Sequence, residues 1–482
     1  MRSKWLRTQR MITTPHTTLP YREVWRSFWK RVDERYKCNV TSSNPIPGPR
    51  GKPVIGMIPE MMGDMLGMFM NITREHGGIV QFKLFNKPYV LVTNPDYVKH
   101  ILQDHYRNYI RGRSVETGRV LLGDGLPLTD GNFWLRERRL MQPAFHRQRL
   151  LGLVEKMTET IGTRLAGWTK LNQVDMEREM SELTLTLIIQ AMFSARVSHK
   201  IQDLAEAFKT ASKFMLWRSQ QMWAPPLWVP VPKNAAYNKA LKVLNDIVYP
   251  LIADARKKPG KDLLDMLLEA RDEQTGEGMT DKQVRDEVVT IFFAGHETSA
   301  MTMTWLFYLL AQHPDVETKL RKEISAVIGD RTPTFADLPR LTYTQKVIQE
   351  VLRLYPAAYL FAREAVGDQL LDGYKIPAGT MIFITPYVTH RDATFWTDPE
   401  RFDPERFTPE QIAQRPSHVY FPFGEGPHVC IGNNFAMTEM QLILTMALQH
   451  FNFQLAPDQK IELLPEATLR PKFGMRMNIK PI

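Results

Sequence analysis

Phe423-Gly424-Glu425-Gly426-Pro427-His428-Val429-Cys430-Ile431-Gly432 is a glycine-rich loop that delivers one cysteine to the start of a helix. The helix is read from Asn433 to Phe451, where Phe435, Met437, Leu442, Ile443, Met446 and Leu448 recur at roughly helical spacing. A thiol just ahead of a helix meets unpaired N–H groups and the positive end of the helix dipole. Both favour the thiolate, the form that binds metal. Gly426 and Gly432 allow backbone angles closed to other residues and let a flat ligand come close. A buried structural cysteine beside a turn would look the same locally, because free cysteine is commonly buried. The rest of the chain has to decide.

Composition narrows the choice. The chain has 482 residues, 43% of them hydrophobic, and no repeat or long linker divides it. Its two cysteines, Cys38 and Cys430, exclude a disulfide framework and an iron–sulfur domain held by four cysteines. The stretch after Cys430 is too short for a flavin domain, so any electrons are expected from a separate protein. The formal charge of +10 suits a basic face for an acidic redox partner. Nucleic acid is not expected, because the basic residues are spread along the chain and no binding motif is present. No apolar run reaches the roughly 18 residues a membrane span needs. Met1 to Lys37 lacks the core of a signal peptide. Trp5, Trp25, Phe28 and Trp29 lie there among basic residues and could touch a membrane surface.

Pro45-Ile46-Pro47-Gly48-Pro49-Arg50-Gly51 is stiff and extended. A helix is expected from Glu60 to His76, strands from Ile79 to Lys83 and Tyr89 to Val92, and a helix from Pro95 to His105. Phe133 to Arg139 lies on a further helix, where Trp134 and Arg138 are four apart and share a face. Amphipathic helices follow over Leu150–Lys170, Glu177–Phe193 and Ile201–Trp217. Met222 to Pro232 is then broken by prolines and carries Trp223 and Trp228. The longest helix is read from Thr280 to His313, with Thr280 and Gln283 as a capping box. Its middle, Phe292-Phe293-Ala294-Gly295-His296-Glu297-Thr298-Ser299, breaks local rules. Glycine inside a helix costs about 1 kcal/mol against alanine, and an acid among apolar neighbours needs partners. Such violations point to a functional site. Thr342 to Tyr355 is the next helix, with Thr342 and Gln345 as a second capping box and Glu350 and Arg353 on one face. Tyr374–Ile376 and Thr380–Ile384 read as strands, as does Met475–Ile479.

Five of these segments, in this order, resemble the cytochrome P450 family. Trp134 and Arg138 match its Trp-x-x-x-Arg motif. Gly295, Glu297 and Thr298 match its oxygen-activation motif, Glu350 and Arg353 its Glu-x-x-Arg motif, and Pro404 to Phe407 its Pro-Glu-Arg-Phe motif. The cysteine loop matches at Phe423, Gly426, His428, Cys430 and Gly432, with His428 where most members carry Arg. The resemblance implies a mainly α fold with a smaller β-rich region, the triangular heme-thiolate prism. It implies one catalytic domain over residues 45–482 behind a basic extension over 1–44.

It also implies heme b with Cys430 as the axial thiolate. Trp134, Arg138, Arg363 and His428 would lie at the cofactor with Phe423. Thr298 and Glu297 would serve oxygen activation and proton delivery, and Gly295 would leave room for oxygen. Glu350, Arg353 and Arg406 would form a structural charge network. Phe293, Ala294, Ala357 and Phe361 would contact substrate. The turn at Lys472-Phe473-Gly474 is expected to reach back toward the pocket. The implied reaction is monooxygenation of a C–H bond in a hydrophobic substrate, with dioxygen and a separate ferredoxin- or flavodoxin-type donor. A peroxide-driven peroxygenase and a non-enzymatic heme-thiolate sensor are the alternatives. The long chain looks closer to members that oxidise fatty acids and similar lipids than to compact ones acting on small terpenoids, with Lys83 or Lys87 as a carboxylate anchor. Arg136 and Arg139 are candidates for partner docking, and Trp217 to Pro232 for a lid. A monomeric cytoplasmic protein without a transmembrane anchor is expected.

Overall fold

The structure, a computed structural model, describes residues 44–193, 200–219, 221 and 224–482. Cys38, the tryptophans of the N-terminal extension, and Met222 and Trp223 lie outside the described residues.

The longer helices, in chain order, are α1 (Ile58–His76), α2 (Gly131–Met141), α3 (Arg147–Trp168), α4 (Met176–Phe193), α5 (Ile201–Ser219), α6 (Pro232–Lys257), α7 (Asp281–Gln312), α8 (Pro314–Val327), α9 (Thr342–Leu354) and α10 (Asn433–His450). The strands are β1 (Ile79–Leu84), β2 (Lys87–Val92), β3 (Tyr109–Ile110), β4 (Gln173–Asp175), β5 (Phe361–Ala365), β6 (Gln369–Leu371), β7 (Tyr374–Ile376), β8 (Met381–Ile384), β9 (Phe451–Leu455), β10 (Leu463–Pro465), β11 (Leu469–Pro471) and β12 (Arg476–Pro481).

α7 is the axis of the molecule. Its sequence is apolar nearly all round, and such a helix can only be buried. Thr280 caps it as expected: its hydroxyl accepts from the Gln283 N–H, and the Gln283 side chain accepts from the Thr280 N–H at 2.8 Å. α4 runs beside it, and α3, α9 and α10 pack around the same core. Trp305 of α7 stacks on Tyr355 at 4.3 Å between ring centroids. The second expected capping box does not form. The Thr342 hydroxyl turns to Glu323 of α8, which also accepts from the N–H groups of Tyr343 at 2.6 Å and Thr344 at 2.9 Å. The start of α9 is thus capped by a neighbouring helix, and the Gln345 side chain goes to the Leu338 carbonyl instead.

The β-rich region is a five-stranded sheet in the order β1-β2-β8-β5-β3. β1 and β2 form the expected hairpin, with Phe82 opposite Tyr89, and β2 runs parallel to β8. β7 and β8, though consecutive, go to different sheets: β7 pairs with β6, and β8 joins the larger sheet. The chain closes with the β10–β11 hairpin and the β4-β12-β9 sheet. Among the described residues no helix is long and apolar enough to cross a membrane.

Candidate active site

The cysteine loop is built by its glycines. Gly424 and Gly426 have φ of 73° and 65°, in the left-handed region that favours glycine. A Cβ on Gly426 would stand 2.1 Å from the Leu102 carbonyl oxygen, so the loop rests directly on the backbone of the neighbouring turn. The Cys430 N–H donates to the Phe423 carbonyl at 2.9 Å and closes the loop. The Cys430 side chain is open rather than packed, yet it lies deep among protein atoms. Burial pushes its thiol up, while the Gly432 N–H and Arg138 pull it down. The helix start favours the thiolate, but in the protein as it stands desolvation outweighs it. A directly bonded cation would reverse the balance.

Beside this thiol lies a cluster of cations. Arg138 donates to the Val429 carbonyl at 2.8 Å. Arg363 is buried; its guanidinium donates to its neighbour's carbonyl, Ala362 O, at 2.8 Å. Burial and the adjacent Arg111 push Arg363 down to about 9. Arg111 has one carboxylate, Asp130, at 3.5 Å. His428 packs 3.9 Å from Trp134 and 5.6 Å from Tyr106, centroid to centroid. Both of its ring nitrogens are buried without a hydrogen-bond partner. Burial and the three guanidiniums push it down to about 2, so it is neutral at ordinary pH. Three guanidiniums facing one carboxylate in a desolvated place call for further anionic groups.

The middle of α7 has two faces. Ala294 is exposed although it sits in a buried helix, so this face lines an internal space. The Thr298 hydroxyl donates to the Ala294 carbonyl at 2.8 Å. Glu297 points to the C-terminal hairpin. It accepts from the Thr468 hydroxyl at 3.1 Å and lies 3.7 Å from Arg470 and 3.7 Å from His296. Arg470 also pairs with Glu177 at the start of α4. Gly295 is closely packed on its α4 side. A Cβ there would meet Ile188 Cγ1 at 3.1 Å, so the bare position serves the close approach of α4.

The sequence matches the Cytochrome P450 family over residues 46–478. The chain belongs to the cytochrome P450 family. It is 33% identical to the protein LUTEIN DEFICIENT 5, chloroplastic, of Arabidopsis thaliana, over 84% of this chain and 72% of that protein. It is 33% identical to cyclooctatin synthase of Streptomyces melanosporofaciens, over 87% of this chain and 92% of that protein. It is 31% identical to pentalenene oxygenase of Streptomyces avermitilis, over 89% and 96%. The crystal structure of the cytochrome P450DA heme domain superposes with a TM-score of 0.84 at 27% identity, covering 91% of this chain and 98% of that one.

Cytochrome P450s are oxidoreductases that bind heme b through an axial cysteine thiolate. The residues present here fit that group. An open thiol deep in the protein suits the iron, and a cation cluster short of anions suits two propionates. Phe361, expected at the substrate, packs on the start of the cysteine loop. Its ring is 6.4 Å from Phe421, and its Cζ is 3.8 Å from where a Cβ of Gly424 would be. Phe423 and Phe293 are partly buried against the main core, and Ala357 is buried where its carbonyl accepts from the Leu469 N–H at 3.2 Å.

Glu350 and Arg353 are completely buried and pair through two bonds of 2.7 and 2.8 Å. Arg406 lies 3.4 Å from Glu350, and Arg353 also binds the carbonyls of His390, Pro399 and Arg401. Arg136 and Arg139 are not free for docking. Arg136 binds Glu137 at 2.7 Å, and Arg139 binds the buried Asp272 at 2.7 Å. Lys83 and Lys87 stand exposed near the tip of the β1–β2 hairpin. The hairpin reaching the interior is β10–β11, not the Lys472–Gly474 turn, where Phe473 is exposed. Trp217 is held under Lys233 at 4.0 Å, while Trp228 projects into solvent.

Sequence reasoning missed Arg111, Asp130, Thr468 and Arg470. Nothing in their local sequence marks them, since each acts through a partner far along the chain.

Proposed function

We propose that the protein is a dioxygen-dependent heme-thiolate monooxygenase of an apolar substrate, a fatty acid or another lipid. Its electrons come from a separate ferredoxin- or flavodoxin-type protein, and it works as a monomer in the cytoplasm. The observation that carries this reading is the convergence of Arg111, Arg138 and Arg363 on neutral His428, in the loop that carries the open Cys430 thiol, with Arg138 acting on that thiol as well. In this reading Cys430 holds the iron, and Arg138 and Arg363 bind the propionates with Trp134 and His428 beside them. Phe423 and Phe361 back the cofactor from the loop side. Heme, when bound, supplies the redox chemistry that places one oxygen atom in a C–H bond and releases the other as water.

The chain supplies position, dryness and protons. The Thr298 hydroxyl donates its hydrogen bond to the Ala294 carbonyl, which leaves its oxygen free to accept a hydrogen bond from a water or a reacting group. Glu297, steadied by Thr468 and Arg470, helps relay protons toward that face. Phe293, Ala294 and Ala357 form apolar wall that excludes water. Relatives named for pentalenene and for cyclooctat-9-en-7-ol support an apolar substrate and an oxygen-inserting reaction.

The test is optical. Ferric protein titrated with fatty acids, steroids and terpenoids should give a saturable blue shift of the Soret band with a fatty acid. A shift with another class alone overturns the lipid preference. No heme band, in protein expressed with heme available, overturns the whole reading. Thr298→Ala should abolish turnover with dioxygen and spare turnover with peroxide. Unchanged dioxygen turnover would favour the peroxide-driven alternative.

A further inference from the structure

An exposed apolar cluster stands at one corner of the large sheet. Val54 is 70% exposed, Met62 84%, Phe85 47% and Ile55 36%. The loop before α1 and the tip of the β1–β2 hairpin are tied together there. The Phe85 N–H donates to the Ile55 carbonyl at 3.1 Å, and the Met57 N–H to the Lys83 carbonyl at 2.8 Å. Gly56 bridges to Leu84.

Two of these residues are held against their own preference. Val54 has φ of 67° and Phe85 φ of 50°. The left-handed region is costly for bulky and β-branched residues. The other non-glycine residues found there, among the described residues, are Asp372, Asp398, His418 and Asp458. Those types accept it far more readily. The backbone therefore stays strained to keep a valine and a phenylalanine in water. Strain that persists where burial does not reward it points to a role at that surface.

The surround is cationic. Arg50, Lys52, Lys83 and Lys87 are all exposed. Lys52 pairs with Glu60 at 3.4 Å. Lys83 and Lys87 have no ion-pair partner among the described residues. The acids of the region are Glu60 and Asp64, and Asp64 accepts from the Gly67 N–H at 2.9 Å. Apolar points that project from a ring of cations suit insertion among headgroups, with the cations held by anionic lipid. They do not line a groove of the kind that receives a peptide.

We propose that this corner docks the protein on an anionic lipid surface, with Val54, Ile55, Met62 and Phe85 entering the headgroup layer. The inference stands apart from the heme reading, because it uses none of the same residues. It is tested by co-sedimentation of the heme-loaded full chain with phosphatidylcholine vesicles and with vesicles of phosphatidylcholine mixed with phosphatidylglycerol. The parent should bind the anionic vesicles, and salt should weaken that binding. The double variant Val54→Asn/Phe85→Asn should bind about tenfold more weakly. Its melting temperature should not fall, since asparagine accepts positive φ. Lys83→Gln/Lys87→Gln should weaken binding to anionic vesicles only. The proposal is overturned if the parent ignores anionic vesicles, or binds neutral ones equally well. It is also overturned if the asparagine variant binds as the parent does, which would move the contact to the N-terminal extension.

Discussion

Arg363 is a guanidinium whose nearest electrostatic concern is another guanidinium. In the heme-free protein its charge is a burden; with propionates beside it, the same charge is a tether. Arg363→Leu should therefore stabilise the heme-free protein by on the order of 1–3 kcal/mol and weaken heme retention. Paired melting curves with and without heme check this, and equal losses in both would refute the tether. Glu439 makes a second case. It lies fully buried in α10 beside Ser299, and burial pushes its carboxyl from 4.5 up to about 8. Between those values the folded state keeps a proton that the unfolded chain has released. Stability due to this group thus falls as pH rises from about 4.5 and levels off above about 8. Glu439→Gln should remove that slope, matching the parent near pH 5 and melting higher above pH 8, by a few kcal/mol at most. Cys430, Glu297 and Thr298 were legible in the sequence because their neighbours carry the signal. Glu439 was not: an acid in an apolar helix hints at burial, but its surroundings are set by another helix.

Between elements, the contacts are tight enough to test by single atoms. Gly295→Ala should push α4 away from α7 and cost about 1–3 kcal/mol, part of it offset by alanine's better helix propensity. Adding Ile188→Val or Ile188→Ala should recover stability, and urea unfolding of the single and double variants reads it. No recovery would mean that the glycine serves something other than helix packing. Around α9, Glu350→Ala leaves Arg353 buried without its carboxylate and should cost about 3–5 kcal/mol. Helix existence was legible from periodicity, and the Thr280 cap from its local pattern. The α9 cap was misread because Thr342 and Gln345 have the right spacing, while Glu323 reaches in from α8 and takes the N–H groups of Tyr343 and Thr344 with its two oxygens. A local rule lost to a tertiary partner with charge.

For the whole molecule, a formal charge of +10 should speed encounter with an acidic electron donor and make it sensitive to salt. Reduction of the ferric protein by a flavodoxin should slow as ionic strength rises through the range where the Debye length shrinks to about 10 Å. A salt-independent rate would remove electrostatic steering from the account. The mainly helical fold and its family were legible because separated motifs kept their order along the chain. The long-range closures were not, since β10–β11 reaches Glu297, Ala357 and Trp305 through backbone and hydroxyl groups that any sequence could provide. The cation cluster also joins distant parts of the chain: Arg111 and Arg138 come early, Arg363 and His428 late. On the ribosome, the first two emerge long before the others and before Cys430. A nascent chain thus has no complete cradle until most of it has been synthesised. Cofactor capture by this cluster would then be a late event in biogenesis, after most of the polypeptide has left the ribosome.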